Sequence, residues 1–378
     1  MRVVTAVNLA LVFAAVSLAT DAHAQAPEGP QTPQPGVPIQ QAPQNIKVRT
    51  LLVNTPVTVT NPQNQLVNTL EKSDFHVTDN GAPQTITHFA LGGDPVALVV
   101  VVETSERISA LLPQVRKTGI LLSQTVMGPT GEAAVIGYDD DVKVLQNFSN
   151  SADALERTIS ELKEGYDGAK LFDAMSKAVE LLSARPEVST DDWGKRRVML
   201  VIGEGHDSGS EDKLGEVLRR AQVSNVTIYT VGISGAKSDL LSRAKPQPLP
   251  RATPDGIMGM PGPPGTVQTP DNDASANGGI DLLALAVWAV THAKDKITSQ
   301  QLAIASAATG GEHLYTWKNE SIQSAIDEIG AELHSQYTLS YTPQDQEQQG
   351  YHEIKVTVDR KDLTVRARPG YCIEAPRN

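Results

Sequence analysis

The residues of this chain that could do chemistry gather at the ends of short apolar runs. Residues 96–102 lead into Glu103-Thr104-Ser105-Glu106-Arg107, residues 133–138 into Asp139-Asp140-Asp141, and residues 198–202 into Gly203-Glu204-Gly205-His206-Asp207. Three consecutive carboxylates suggest a hard cation, which takes oxygen ligands. They stand between two short strand-like runs, however, and read better as a charged hairpin turn. Ser105 follows a strand, where a nucleophile could sit, but no base is identifiable near it in sequence. Gly203, Gly205 and Gly209 crowd after a strand in a spacing that fits no dinucleotide fingerprint. Gly-x-Ser-x-Gly, a phosphate-binding glycine loop and His-Glu-x-x-His are all missing from the sequence. The eight histidines are scattered. The chain therefore reads as a non-enzyme. Its single cysteine, Cys372, rules out an intramolecular disulfide and is expected to be buried and inert.

The elements that must position these residues can be read from the period of the pattern. Residues 96–102 form an uninterrupted β-branched run, the signature of a strand buried on both faces. Similar runs fall at 133–138, 198–202 and 226–231, and helical segments at 108–127, 152–163, 171–184 and 212–223 lie between them. Strands alternating with helices predict an α/β fold: a doubly wound, mostly parallel sheet joined by right-handed crossovers. Only 4% of residues are aromatic, so Val, Ile, Leu and Ala must fill the core.

Small β flanks are expected at both ends. From 46 to 93 the pattern has period two, with a hairpin signal at Asp79-Asn80-Gly81. That β-domain would be marginal alone and should pack on the α/β domain after it. After helices at 282–308 and 322–334, with a short strand at 313–317 between them, strands are expected at 337–341, 351–358 and 363–367 in a C-terminal β-segment, 337–378. The α/β domain thus spans 94–336. Its segment 245–279 carries Gly256, Gly259, Gly262 and Gly265 three apart, too few triplets for a collagen helix, and reads as a disordered insertion. Residues 25–45 are Pro/Gln-rich and read as an extended tether. Arg2, an apolar stretch to Leu18 and Ala22-His23-Ala24 read as a secretory signal peptide cut after Ala24. The apolar stretch is short for a bilayer span, which needs about 20 residues. The expectation is an exported protein, periplasmic or secreted, with no membrane span in the mature chain. A formal net charge of −12 argues against nucleic acid as a partner.

Residues 96–234, from the strand into Glu103-Thr104-Ser105 to Thr227-Ile228-Tyr229-Thr230-Val231-Gly232, resemble a von Willebrand factor A (VWA) domain. Val57-Thr58-Val59-Thr60, Asn80-Gly81-Ala82-Pro83-Gln84, Gln336-Tyr337-Thr338-Leu339-Ser340-Tyr341 and Arg368-Pro369-Gly370-Tyr371 are similar to the VWFA-related proteins common in Acidobacteria. The resemblance implies a Rossmann-like sheet whose carboxyl-edge loops hold Mg²⁺ or Mn²⁺ in a metal-ion-dependent adhesion site (MIDAS). Such a site uses Asp-x-Ser-x-Ser, a Thr from a second loop and an Asp from a third. Here the first motif begins with Glu103, keeps Ser105 and ends on Arg107. Ala169 stands where the Thr belongs, next to Lys170, and Glu204 replaces the Asp. If an ion is bound, Glu103, Ser105 and Glu204 would be its ligands.

An arginine is never neutral in practice, so Arg107 would oppose a divalent ion. Arg107, joined by Lys170, is expected to take the metal's electrostatic place and pair with Glu103 and Glu204. Asp207 is expected to serve the backbone of its own polar loop. No cofactor is expected. The leading expectation is a degenerate, metal-free MIDAS in a module that binds an unidentified protein. The alternatives are a structural or assembly component of a cell-envelope complex, Mg²⁺-dependent adhesion through a modified MIDAS, and a hydrolase with a cryptic site.

Overall fold

The structure is a computed structural model that describes residues 52–185, 195–233, 301–316, 321–344 and 349–373. The signal-peptide, tether and insertion readings, and the first part of the helix expected from 282, lie outside the described residues.

A six-stranded sheet forms the centre, in the order β10-β9-β8-β5-β6-β7. Its strands are β5 (Val96–Glu103), β6 (Glu132–Tyr138), β7 (Val142–Ser149), β8 (Arg196–Gly203), β9 (Val226–Ile233) and β10 (His313–Thr316). All pairings are parallel except that of edge strand β7 with β6. Every residue of β5, β6, β8 and β9 is buried, as the continuous apolar runs require. Alternate residues face opposite layers. Ala97, Val99 and Val101 pack against helices α2 (Leu171–Ser183), α3 (Leu214–Val223) and α4 (Gln301–Thr309). Leu98, Val100 and Val102 pack against α1 (Ala152–Ser160), α5 (Ile322–Ser335) and the irregular helical segment 112–127. The sheet is therefore doubly wound. No helix among the described residues is long and apolar enough to cross a membrane.

The segment expected as one helix over 108–127 is broken into short turns of α, 3-10 and π type. Its hydroxyls compete with the helical ladder: Thr118 Oγ1 donates to the Val115 carbonyl at 2.7 Å, Ser123 Oγ to Ile120 at 2.9 Å and Thr125 Oγ1 to Leu121 at 2.7 Å. Gly119 also lies so close to α1 that a Cβ would stand 2.9 Å from Glu156 Cα.

The two β flanks do not form separate units. β1 (Val53–Thr60) pairs on one side with β11 (Tyr337–Tyr341) and on the other with β13 (Thr364–Ala367). β2 (Phe75–Asp79) pairs with β12 (Gly350–Val358). Together with β3 (Ala82–Gln84), β4 (His88–Leu91) and β14 (Gly370–Ile373), they build two antiparallel four-stranded sheets. Val57, Phe75, Tyr337, Leu339 and Tyr341 form their shared core. The β2–β3 hairpin turns at Asn80 and Gly81, both at positive φ. Cys372, on β14, is half-buried rather than buried, and its thiol lies 3.7 Å from Gln222 Oε1.

Candidate functional site

Parallel pairing of β5 with β8 brings the ends of two apolar runs side by side. Val102 stands opposite Ile202. Glu103 and Gly203-Glu204 therefore leave the sheet together at its carboxyl edge, where open α/β sheets hold their ligands.

Glu103 is fully buried. Its carboxylate accepts a hydrogen bond from Ser105 Oγ at 2.6 Å on Oε1. Oε2 accepts one from the Glu204 N–H at 2.7 Å and a long one from the Tyr138 hydroxyl at 3.4 Å. Burial pushes its pKa above the ordinary carboxyl value, against the opposing pull of the two short hydrogen bonds. Tyr138, the aromatic residue that ends β6, is fully buried beside it, and burial raises its phenol well above the usual range. Gly203 fits beneath these groups because a Cβ would lie 2.4 Å from the Tyr138 hydroxyl and 2.7 Å from Glu103 Oε2.

Arg107 lies in the 3-10 turn Glu106–Ile108 that follows Ser105. Its Nε and one terminal nitrogen both reach Glu204 Oε2 at 2.9 Å. The Glu204 side chain is only 4% exposed and that of Arg107 26%, so the pair is largely withdrawn from solvent beside the buried Glu103. Glu103 itself is satisfied by Ser105 and the Glu204 backbone, not by a direct bond to the guanidinium.

The second loop is tied to the first. The Gly165 N–H donates to the Thr104 carbonyl at 2.8 Å and the Glu106 N–H to Tyr166 at 3.2 Å. Ala169, fully buried, exchanges bonds with Ser208: its N–H donates to Ser208 Oγ at 2.9 Å, and the Ser208 N–H donates to its carbonyl at 2.8 Å. The Lys170 N–H donates to the Asp139 carbonyl at 2.9 Å, and Lys170 has no ion-pair partner among the described residues. Asp207 Oδ1 accepts from Ser210 Oγ at 2.6 Å and from the Phe172 N–H at 3.2 Å, anchoring the start of α2. The three aspartates turn tightly between β6 and β7, the Asp141 N–H donating to Asp139 Oδ1 at 2.8 Å.

Glu103, Ser105, Arg107 and Glu204 thus come together, with Ala169, Lys170 and Asp207 in the adjoining loops. Lys170, at the N-cap of α2, does not join the ion pair. The sequence assigns no role at this site to Tyr138, Ser208 or Ser210, and it marks Gly203 only as one of the glycines crowded after a strand. Tyr138 carried a signal: a hydroxyl closing an otherwise apolar run must find a buried partner.

The VWA domain family matches residues 97–249. No curated protein matches the chain. Among solved structures, the chain is similar to the conserved hypothetical protein BatB from Bacteroides thetaiotaomicron, at 13% identity and a TM-score of 0.38, over 63% of this chain and 98% of that one. An aerotolerance-related membrane protein from Bacteroides fragilis is similar at 12% identity and a TM-score of 0.36, with the same coverage. The von Willebrand factor domain of the type V pilus tip protein Mfa5 from Porphyromonas gingivalis is similar at 17% identity and a TM-score of 0.26, over 31% of this chain and 40% of that one. VWA domains commonly bind other proteins and are typically non-enzymatic. The family match, on a doubly wound parallel sheet, shows that this chain carries a von Willebrand factor type A domain.

Proposed function

We propose that this is an exported VWA module that binds a protein partner through the loops at the carboxyl edge of its sheet, with an arginine–carboxylate pair where the adhesion metal would otherwise sit. The observation that carries the reading is the Arg107–Glu204 pair beside the buried Glu103. The donors present do not fit a divalent cation. Mg²⁺ demands near-octahedral oxygen coordination, whereas the Glu103 oxygens and Ser105 Oγ bind one another and the Glu204 backbone. A guanidinium occupies Glu204 Oε2. Among the described residues no group of three or more His, Cys, Asp or Glu side chains has the geometry to hold a metal ion. The face open to a partner is led by Tyr166, 68% exposed, an aromatic of the kind that anchors interfaces.

The first test is thermal unfolding with EDTA, Mg²⁺, Mn²⁺ and Ca²⁺ in turn. The native protein should unfold at one temperature in all four, whereas Arg107→Ser, which restores a hydroxyl and removes the cation, should rise by about 5 °C with Mg²⁺. A rise of that size in the native protein would sink the metal-free reading. For the binding role, partner capture should survive EDTA and be lost in Tyr166→Asp. Equal capture by that variant and by the native protein would place the interface elsewhere.

A further inference from the structure

At the opposite edge of the central sheet, where β8 begins, three arginines are withdrawn from solvent. Arg196 is 7% exposed, Arg197 6% and Arg368 4%. With Asn54 and Gln336 they line a partly enclosed cavity of about 20 Å³ between the VWA domain and the β-sheets of the flanks. The groups that meet Arg196 and Arg368 are neutral. Arg196 donates to the Leu333 carbonyl at 2.6 Å and to Gln336 Oε1 at 3.2 Å. Arg368 donates to Asn225 Oδ1 at 2.8 Å and to the carbonyls of Gly370, Asn54 and Gln222 at 3.0–3.3 Å. The buried Arg196 Nε–H finds no acceptor among the described residues. Asp94 and Glu332 act on Arg196 only through space, and Glu332 is itself clamped by Arg366. Burial depresses the pKa of both guanidiniums, the mark of cations short of compensating charge.

We propose that this cavity binds a single monovalent inorganic anion of the size of chloride, which neutralises Arg196 and Arg368 and fastens the VWA domain to the flanking β-sheets. Charge decides against a water alone: water fills the space and satisfies the Nε–H, but it leaves two buried cations uncompensated, an expensive arrangement. The small volume favours a small anion. A cavity needs roughly 10–15 Å³ to hold one water; chloride is a single atom, whereas a phosphate or carboxylate brings several heavy atoms. The lining includes residues of β1, β8, β9, α5 and the β13–β14 link, so the anion would touch both parts of the molecule at once.

The test uses the purified protein in sodium chloride, bromide or gluconate at equal ionic strength. The unfolding temperature should be about 3 °C higher in either halide than in gluconate and should saturate with concentration. Arg196→Gln should fold in gluconate and lose the halide increment. A crystal soaked in bromide should show an anomalous peak between Arg196 and Arg368. Absence of that peak overturns the proposal whatever the unfolding data show, since halides also act on protein surfaces. It remains decisive if the variant does not fold. Equal unfolding temperatures in all three salts would likewise overturn it.

Discussion

Glu103 illustrates how one carboxylate can be made structural by its neighbours. It ends a strand whose every residue is buried, so its charge must be met locally, and Ser105, the Glu204 amide and Tyr138 do this within 3.4 Å. The arrangement depends on the missing side chain of Gly203. Gly203→Ala would drive a methyl group against the Tyr138 hydroxyl and the Glu103 carboxylate, neither of which has room to retreat. We expect a loss of about 2 kcal/mol by denaturant titration, and a variant as stable as the native protein would show that the cluster can relax. The family resemblance marked Glu103, Arg107 and Glu204 as departures from the usual ligand set and Ser105 as the one ligand retained. It did not show which acid the arginine would choose. That depends on the turn at Glu106–Ile108, which aims Arg107 past the buried carboxylate to the more accessible one.

At the scale of elements, α5 joins the two parts of the molecule, running from the VWA core into β11. Its Glu332 accepts hydrogen bonds from Thr58 of β1 at 3.0 Å and Tyr229 of β9 at 2.7 Å, and pairs with Arg366 of β13. Glu312 completes the network, 3.1 Å from Arg366. Burial first, and then hydrogen bonding to Glu332, raise the Glu312 carboxyl from 4.5 to about 7, while Glu332 is held below its ordinary value chiefly by Arg366 against its own burial. Between those two pH values the folded chain keeps on Glu312 a proton that the unfolded chain has released. This contribution to stability is therefore full below pH 4.5 and is lost as pH climbs through 7. Glu312→Gln imitates the protonated form. Relative to the native protein it should gain stability steadily from pH 5 to 8 in paired thermal scans. A difference that stays constant across that range would contradict the raised pKa. The sequence predicts the helix at 322–334, but nothing in it marks Glu332 as buried, because its burial depends on contacts with β1, β9 and β13.

For the whole molecule, the chain leaves the β-sheets after β4, builds the VWA domain and returns to finish them. β1 has partners on both sides, and both, β11 and β13, come from the far end of the sequence. Deleting residues 337–378 should therefore leave β1 and β4 without their strand partners and β2 with β3 alone, with the VWA sheet intact, since none of the six strands of that sheet lies beyond residue 336. Limited proteolysis should then cut within 52–93 at a protease concentration that spares the full chain. Equal resistance of both forms would mean that the amino-terminal strands are held by the VWA domain alone.

What the sequence by itself determined is whatever rests on local pattern. Continuous β-branched runs such as 96–102 can only be strands covered on both faces. Their alternation with helices sets the doubly wound sheet, and the Asn80-Gly81 and Asp139–Asp141 turns follow from residue type. What only the tertiary structure decided is everything that joins residues remote in the chain. That includes Val57 between Tyr337 and Ala367, Arg107 on Glu204, Asp207 serving the start of α2, and the arginines gathered around one cavity. The physical reason is that a strand's period records how much of it is buried but not which strand will bury it. A charged side chain likewise carries no mark of the partner that compensates it until both are withdrawn from water together.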